Sequence, residues 1–468
     1  MKLTRVLSLA PICTLAAVLH AQNFTVLHST NTPQIPSPTL TQTRAGYLMS
    51  TGIAPTTSGS SEGAWVYRYT VSGTLTYLYH FPPSVTNYYI QNPSGGMTLG
   101  LDGWFYGVTD YGGDYNDGTI VKMSSVGAVQ TIHVFTGGQN GGRPFDAPLL
   151  TMSGDFYGTT RGDSSDNSAS VLYRFTKDGN FTSLHVFTNA GETPAAPLMQ
   201  ATDEWIYGVT GLGGAHSLGS IFRTNRSGQF ETVYSFDGAH GTGPNGTLLQ
   251  GNDGSFYGTT QEGGTGPYGG YGVVYKMSPS HQVSVVHAFT GGSDGAYPYS
   301  LVSGTDGNLY GYAQLQDVNG GGGGILFRVT PAGTFTVLHA FDVGSPGDIP
   351  IALIQHTNGK LYGDTANETS AMDAAGAWYG IFYSYNLGLS PYVTYLANYG
   401  RPGMQVDILG EGFTPDSQVF INGMRAQVIS QTSTYITAIV PSGATTGWIT
   451  VTTSLGTLRS DKKFVVRP

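Results

Sequence analysis

Residues 102–135 read DGWFYGVTDYGGDYNDGTIVKMSSVGAVQTIHVF, and residues 253–289 read DGSFYGTTQEGGTGPYGGYGVVYKMSPSHQVSVVHAF. The two stretches are one unit written twice: an Asp-Gly turn, a strand ending in Tyr-Gly, a Gly-rich loop, a β-branched strand, and a last strand closing on His-x-Phe. The Tyr-Gly dipeptide recurs at Tyr106, Tyr157, Tyr207, Tyr257, Tyr310 and Tyr362, every 50 to 53 residues, and a degenerate copy surrounds Tyr47. A fixed period of this length marks a repeat architecture of seven units.

Each unit carries four short β-patterned runs. In the third copy they are PLLTM (148–152), FYGTT (156–160), VLYRF (171–175) and FTSLHVF (181–187), here strands A to D. Aromatic and β-branched residues fill both faces of these runs, the pattern of a sheet sandwiched between two neighbours. Four strands in about 50 residues make a propeller blade. The seventh copy has strands at 361–365 and 381–385 and then leaves the pattern without a fourth. The missing piece stands at the other end, where residues 24–28 read FTVLH and match residues 335–339 letter for letter. The spacing therefore predicts an all-β fold, a seven-bladed β-propeller over residues 22–388, closed by its N-terminal strand so that no sheet edge is left open. A solenoid needs no such exchange between its ends.

These repeats resemble the bacterial tandem-repeat family called GloVer, whose unit reads roughly DG-x-LYGTT-x-x-GG, then G-T-V-F-K, then T-x-LHxF. The resemblance spans about residues 22–388 and is strongest in the copies of Tyr106, Tyr257 and Tyr310. It implies a secreted or surface-displayed protein, often with a variable C-terminal anchor, and brings no established activity.

From residue 389 to 468 the period stops. Alternating strands follow at 405–413, 418–423 and 446–453, the pattern of a small β-sandwich. Gly410-Glu411-Gly412-Phe413, Gly423, Val440-Pro441-Ser442-Gly443-Ala444 and Phe464-Val465-Val466 resemble the immunoglobulin-like IPT/TIG domain. That resemblance implies a spacing or adhesive role.

At the N-terminus, Lys2 and Arg5 precede an apolar run from Val6 to Leu19 that is interrupted by Pro11 and followed by Ala21. Residues 1–21 read as a secretory signal peptide, too short to span a bilayer. The expected location is outside the cell or on its surface, with no transmembrane segment in the mature chain. Cys13 is the only cysteine, so the mature protein forms no disulfide and no thiolate metal site. Charged residues are 10% of the chain and the formal net charge is -9, with no run of Lys or Arg, which excludes nucleic acid and anionic membranes as natural partners.

Several motifs have plainer readings than their letters suggest. Residues 291–295 fit G-x-S-x-G, but no helix follows Ser293, and the equivalent loop of another copy has Gln139 in its place. Residues 264–269 fit G-x-G-x-x-G between two strands, without a helix N-terminus to hold a phosphate. His28, His133, His185, His287 and His339 share one place in strand D, with Tyr79 and Tyr234 in the other two copies. A metal ring is excluded because the outermost strands are too far apart to share an ion, so packing and hydrogen bonding explain them. Asp114, Asn116 and Asp117 offer the oxygens Ca²⁺ accepts, yet their spacing fits no full calcium loop and turn chemistry explains them as well; no cofactor is expected. Arg161-Gly162-Asp163 spells an adhesion tripeptide, but nothing implies an animal-cell partner.

Within a blade the A-to-B and C-to-D turns share one side of the disc, and the B-to-C and D-to-A loops share the other. The first set is short and the second is long and rich in Gly, Tyr and Asp, as in residues 261–272 and 290–298. Function gathers in such loops on a rigid scaffold. The candidate ligand-binding residues are Asp114, Tyr115, Asp117, Arg143, Tyr268, Tyr271, Asp294 and Tyr297, with stacking faces and hydrogen-bonding groups suited to a glycan or an extracellular protein. The leading expectation is thus a non-enzymatic binding or scaffold protein, with no catalytic residue assigned. The rival is a carbohydrate-active enzyme, glycosidase or lyase, with its site in the central pocket. Two carboxylates facing each other at roughly 5 to 9.5 Å would favour the rival.

Overall fold

A computed structural model describes residues 23–29, 35–55, 61–81, 93, 95–162, 168–187, 192–264, 269–314, 323–342, 347–366, 380–397 and 399–467. The leader with Cys13, Asp163 of the tripeptide and the candidate Tyr268 lie outside the described residues. Among those described, every regular element is a strand except one 3₁₀ turn at Gly138–Asn140.

The repeats form seven antiparallel sheets, blades 1 to 7, in each of which neighbouring strands follow the chain. Blade 7 is the exception: Phe24–Ser29 pairs antiparallel with Ile381–Tyr385, Phe24 lying opposite Tyr385 and Ser29 opposite Ile381. The N-terminal strand is therefore the fourth strand of the sheet that contains Tyr362.

Seven apolar cores, one at each joint between blades, join the sheets into a ring. Val66 of blade 1 packs with Phe105 of blade 2. Tyr106 then packs with Phe156, Tyr157 with Ile206, Tyr207 with Phe256, Tyr257 with Leu309 and Tyr310 with Leu361. The seventh core returns Tyr362 of blade 7 to Leu48 and Tyr69 of blade 1. The tyrosine of each Tyr-Gly pair thus fills the gap toward the next blade, and burial of such rings is the main stabilising term.

The rest of the motif holds that ring in place. The hydroxyl of Tyr106 donates to Asp102 at 2.7 Å, Tyr257 to Asp253 at 2.9 Å and Tyr310 to Asp306 at 2.8 Å, so the Asp of the turn anchors the Tyr four residues on. The glycine after it makes room: a methyl at Gly158, Gly258 or Gly363 would run into the hydroxyl end of Tyr173, Tyr275 or Tyr383 on strand C. At four joints a glutamine ending strand A accepts a backbone N–H from the preceding blade's A-to-B turn. Gln250 takes that of Thr202 at 2.8 Å, and Gln42 takes that of Thr357 at 3.2 Å across the closing joint; Gln200 and Gln355 do the same.

Strand A is shorter than its sequence run. In blade 3 only Leu149–Leu150 pairs, because Pro148 has no N–H to give and Thr151 already opens the turn, donating its N–H to Asp155 at 2.9 Å. Strand D carries a bulge in all seven blades, as between Thr131 and His133. A bulge re-aims the side chain that follows it. His133 stacks on Phe181 of the next blade at 4.1 Å, His185 on Phe230 at 3.6 Å, His287 on Phe335 at 4.0 Å and His339 on Phe24 at 3.7 Å. Where the histidine is Tyr79 or Tyr234, the next blade offers Val129 or Val283 instead. Stacking is common to these four histidines, whereas His28 meets the Tyr69 ring tilted at 5.8 Å; His287 also bonds Asp294 at 3.2 Å, while His133 Nε2 is buried without a hydrogen bond among the described residues.

The C-terminal unit is a two-sheet sandwich. One sheet contains Gln405–Leu409 and Tyr435–Ile439, the other Gln418–Ile421, Gly447–Thr453 and Gly456–Val466. Val406, Ile408, Val419, Ile436, Ile449 and Phe464 fill the space between. This domain sits against the A-to-B turns. Tyr392 donates its N–H to Thr357 O at 2.9 Å and its hydroxyl to Gln355 O at 2.8 Å. Thr434 Oγ1 donates to Arg44 O at 2.7 Å, and the Arg44 guanidinium lies 4.5 Å from the Tyr435 ring. Tyr399 donates its N–H to Met152 Sδ, and Arg467 donates to Thr202 O at 2.6 Å and pairs with Glu204 at 3.2 Å. These partners belong to blades 7, 1, 3 and 4, on both sides of the ring axis, so the domain lies across the central opening on the turn side. His356 is buried at this contact, its Nε2 3.1 Å from Gly46 O and 3.6 Å from Glu411, and burial pushes its pKa down to about 4.

Candidate ligand-binding face

The side opposite the immunoglobulin-like domain is built from the B-to-C and D-to-A loops, and one device repeats along it. The N–H of the residue before a proline in the D-to-A crossing donates to the carbonyl before a glycine in the preceding blade's B-to-C loop. Arg143 gives to Asp117 O at 2.9 Å, Gly243 to Leu218 O at 3.0 Å and Tyr297 to Tyr271 O at 2.8 Å. In each case the proline that follows, Pro144, Pro244 or Pro298, packs on the glycine after the acceptor, Gly118, Gly219 or Gly272. The frame is constant and the two side chains it presents change from joint to joint.

At the joint of blades 2 and 3 those side chains are Asp117 and Arg143. Asp117 is buried, 6% exposed, and accepts the Ser168 hydroxyl at 2.8 Å. It stands under the Gly137 and Gly142 backbones, fastening two loops together. The Arg143 guanidinium rests on the Tyr111 ring at 3.9 Å. Beside it, Arg161 donates its N–H to Arg143 O at 3.1 Å and lays its own guanidinium over Phe145 at 3.5 Å. Below them Asp146 is buried, and burial pushes its carboxyl up to about 6 against the opposite pull of Arg161. Asp114 and Tyr115 are exposed, Tyr115 by 63%, on a loop fixed from within: Asn116, at φ +61°, accepts the Gly112 N–H at 3.2 Å through its side chain. Of the oxygens considered for Ca²⁺, that of Asn116 serves the turn and those of Asp117 tie two loops together. Among the described residues no group of three or more His, Cys, Asp or Glu side chains stands together as a metal site.

At the joint of blades 5 and 6 the pair is Tyr271 and Tyr297, whose rings meet edge to face at 6.2 Å. Tyr271 also covers Gly291. Asp294 closes the turn beneath them, receiving the Thr290 hydroxyl at 2.5 Å and facing His287. Ser293 is exposed in that turn, with no helix after it. The candidate residues thus fall into two groups, three joints apart on the ring: Asp114, Tyr115, Asp117 and Arg143 in one, Tyr271, Asp294 and Tyr297 in the other. Tyr111, Phe145 and Arg161 were not among the sequence candidates. Arg161 was noticed only for its tripeptide, and the alternation of Arg and aromatic residues across two loops was the signal available.

A ring of four-stranded sheets followed by an immunoglobulin-like sandwich defines the class: a β-propeller with an appended immunoglobulin-like domain. The chain belongs to the Gloeobacter/Verrucomicrobia repeat family, whose model matches residues 35–271 and 147–378, and residues 391–464 match the IPT/TIG domain. No curated protein matches the chain. Among solved structures, a fungal alcohol oxidase of the AA5 family in complex with copper is similar over 95% of this chain and 100% of its own, at 11% identity and a TM-score of 0.50. A Bacteroides uniformis protein provisionally assigned as a 6-phosphogluconolactonase covers 71% of this chain and 94% of its own, at 17% identity and TM-score 0.45. A puromycin hydrolase covers 83% and 60%, at 12% identity and TM-score 0.45. At these identities the likeness is one of fold alone.

Proposed function

We propose that this protein is an extracellular or cell-surface binding protein whose loop face recognises a glycan or a protein ligand, with the IPT/TIG domain as its support. The observation that carries this reading is the division of the disc. The IPT/TIG domain occupies the turn side, and the opposite side keeps the long loops, the exposed Tyr115 ring and the Tyr271–Tyr297 pair. Rings held on a rigid frame lose little freedom on binding, which favours their use as stacking faces. Secretion by the leader of residues 1–21 fits this reading. Among the described residues no helix is long and apolar enough to cross a membrane.

Glycan arrays and pulldowns from extracellular protein fractions with the mature chain test the proposal. Binding is expected, and Tyr115→Ala should weaken it several-fold while leaving melting unchanged. A ligand lost instead when turn-side residues such as Asp203 are changed would place the site on the other face and defeat the proposal.

A further inference from the structure

We infer that His356 makes the seat of the IPT/TIG domain an acid-opened clasp: in acid the domain lifts from the turns of blades 7 and 1 while the ring stays closed. The first ground is a departure from the repeat. In every blade one residue opens the A-to-B turn by giving its N–H to the carbonyl four residues on, and in blades 1 to 6 it is Thr43, Gly100, Thr151, Ala201, Gly251 or Gly304. Blade 7 places a large titratable side chain there, His356, which is fully buried. Two residues on, four blades carry Asp102, Asp203, Asp253 or Asp306, and blade 7 carries Asn358. A side chain at the first place lies against the second: a Cβ at Gly100 or Gly251 would stand 2.8 Å from the carboxylate of Asp102 or Asp253. The turn forms with a small residue, so the ring does not require the imidazole, and the carboxylate that steadies an imidazolium is replaced by an amide.

The second ground is the geometry of the imidazole. Its Nδ1 accepts the Asn358 N–H at 3.2 Å and its Nε2 faces Gly46 O of blade 1 at 3.1 Å, so the ring is neutral with its proton on Nε2. A second proton lands on Nδ1, against an N–H and away from water. Glu411 of the IPT/TIG domain, 3.6 Å from Nε2, is the one acidic group within 4 Å among the described residues. It accepts the Thr357 hydroxyl at 3.4 Å, and burial raises its carboxyl, so its counter-charge fades as the pH falls. The other titratable groups around the imidazole are Tyr362 and Lys360 of its own blade, Arg44 of blade 1 and Tyr392 of the domain. None is negative in acid, and the Arg44 guanidinium is engaged by Leu101 O and the Tyr435 ring. Beyond blades 7 and 1 the polar hold on the domain is the Arg467–Glu204 pair, 35% and 49% exposed, with the bonds to Thr202 O and Met152 Sδ. An ion pair so exposed holds weakly. The ring keeps its own closure through Gln42 and Thr357 and through the core of Tyr69, Tyr362 and Phe382. Lifting the domain uncovers the turn-side opening.

Burial holds the docked imidazole at about 4 against 6.5 when free, so its contribution to docking is complete above 6.5 and is lost as the pH falls toward 4. Glu411, whose raised carboxyl favours docking in acid, offsets part of that loss. The docking constant is expected to fall at least about tenfold between pH 7 and pH 4.5. Energy transfer between dyes on the full mature chain provides the test, since Cys13 in the leader is the only cysteine. Val126→Cys on blade 2 and Leu455→Cys on the domain, 83% and 82% exposed, carry a pair of pH-insensitive dyes. Transfer should change reversibly over that range while the far-ultraviolet circular dichroism stays constant. His356→Gln, whose amide still donates to Gly46 O and does not titrate, and His356→Gly, the residue of blades 2, 5 and 6, should both lose the response to pH. Transfer that does not change in the wild type, a response of the same size in both variants, or a change that appears only as the circular dichroism collapses overturns the inference.

Discussion

The two sides of the disc are made from the same seven repeats and obey different rules. On the turn side the same devices recur: in the copies of Tyr106, Tyr207, Tyr257 and Tyr310 an Asp of the turn receives the hydroxyl of the Tyr four residues on, and at four joints a Gln reaches back to the preceding blade. On the loop side the backbone frame repeats but its side chains do not, Asp117 with Arg143 at one joint, Leu218 with Gly243 at another, Tyr271 with Tyr297 at a third. The devices by which the blades pack recur from copy to copy, and the side chains set into the loop frame diverge. The IPT/TIG domain sits on the turn side, where its seat is the same turns that order the ring.

The comparison breaks most severely if the ring is not closed by its own N-terminus. A chain beginning after Ser29 loses the Phe24–His339 stack and bares the edge of Ile381–Tyr385. Its melting temperature should fall by more than about 10 °C, with aggregation, as for any exposed strand edge. An unchanged melting curve would contradict closure.

Smaller changes sharpen the contrast between frame and rim. Gly258→Ala pushes a methyl into the Tyr275 ring and should cost about 1 to 3 kcal/mol in denaturant unfolding. Gly243→Tyr, which copies the Tyr297 arrangement onto open space at the rim, should cost about 1 kcal/mol from its left-handed backbone alone. A larger cost for Gly243→Tyr than for Gly258→Ala would erase the distinction. Asp253→Ala, which removes the acceptor of the Tyr257 hydroxyl, should cost about 1 kcal/mol.

A further expected effect depends on pH. Asp364, buried at the closing joint beside the Tyr67 hydroxyl, is pushed by burial up to about 8 from 3.8. A folded value above the unfolded one contributes stability that is complete below pH 3.8 and lost as pH rises through 8. Asp364→Asn removes that loss, so the variant's melting temperature relative to the wild type should climb between pH 5 and pH 9. A gap that stays constant with pH would show that the carboxyl ionises normally.

Most of the frame was legible because its signals are local. Tyr-Gly, the Asp-Gly turn and the FTVLH match each reflect one packing or hydrogen-bonding demand that recurs from copy to copy. The rim was legible only in part. That Arg143 and Tyr297 precede prolines was visible in the letters, but the positive φ that singles them out is set by a carbonyl of the neighbouring blade. Asp117 reads as a solvent-facing turn residue, and it is buried because the D-to-A crossing folds back over it. The seat of the IPT/TIG domain rests on pairs such as Arg467 with Glu204, distant in sequence and without periodicity to betray them.

The division into a supporting and a recognising face is tested most directly by hydrogen–deuterium exchange of the mature chain with and without the glycan that binds it most tightly on an array. Protection is expected in the loops around Tyr115, Arg143, Tyr271 and Tyr297, with the turns at Asp102, Asp203 and Asp253 unchanged. Protection confined to those turns, with the loops unaffected, would contradict the account.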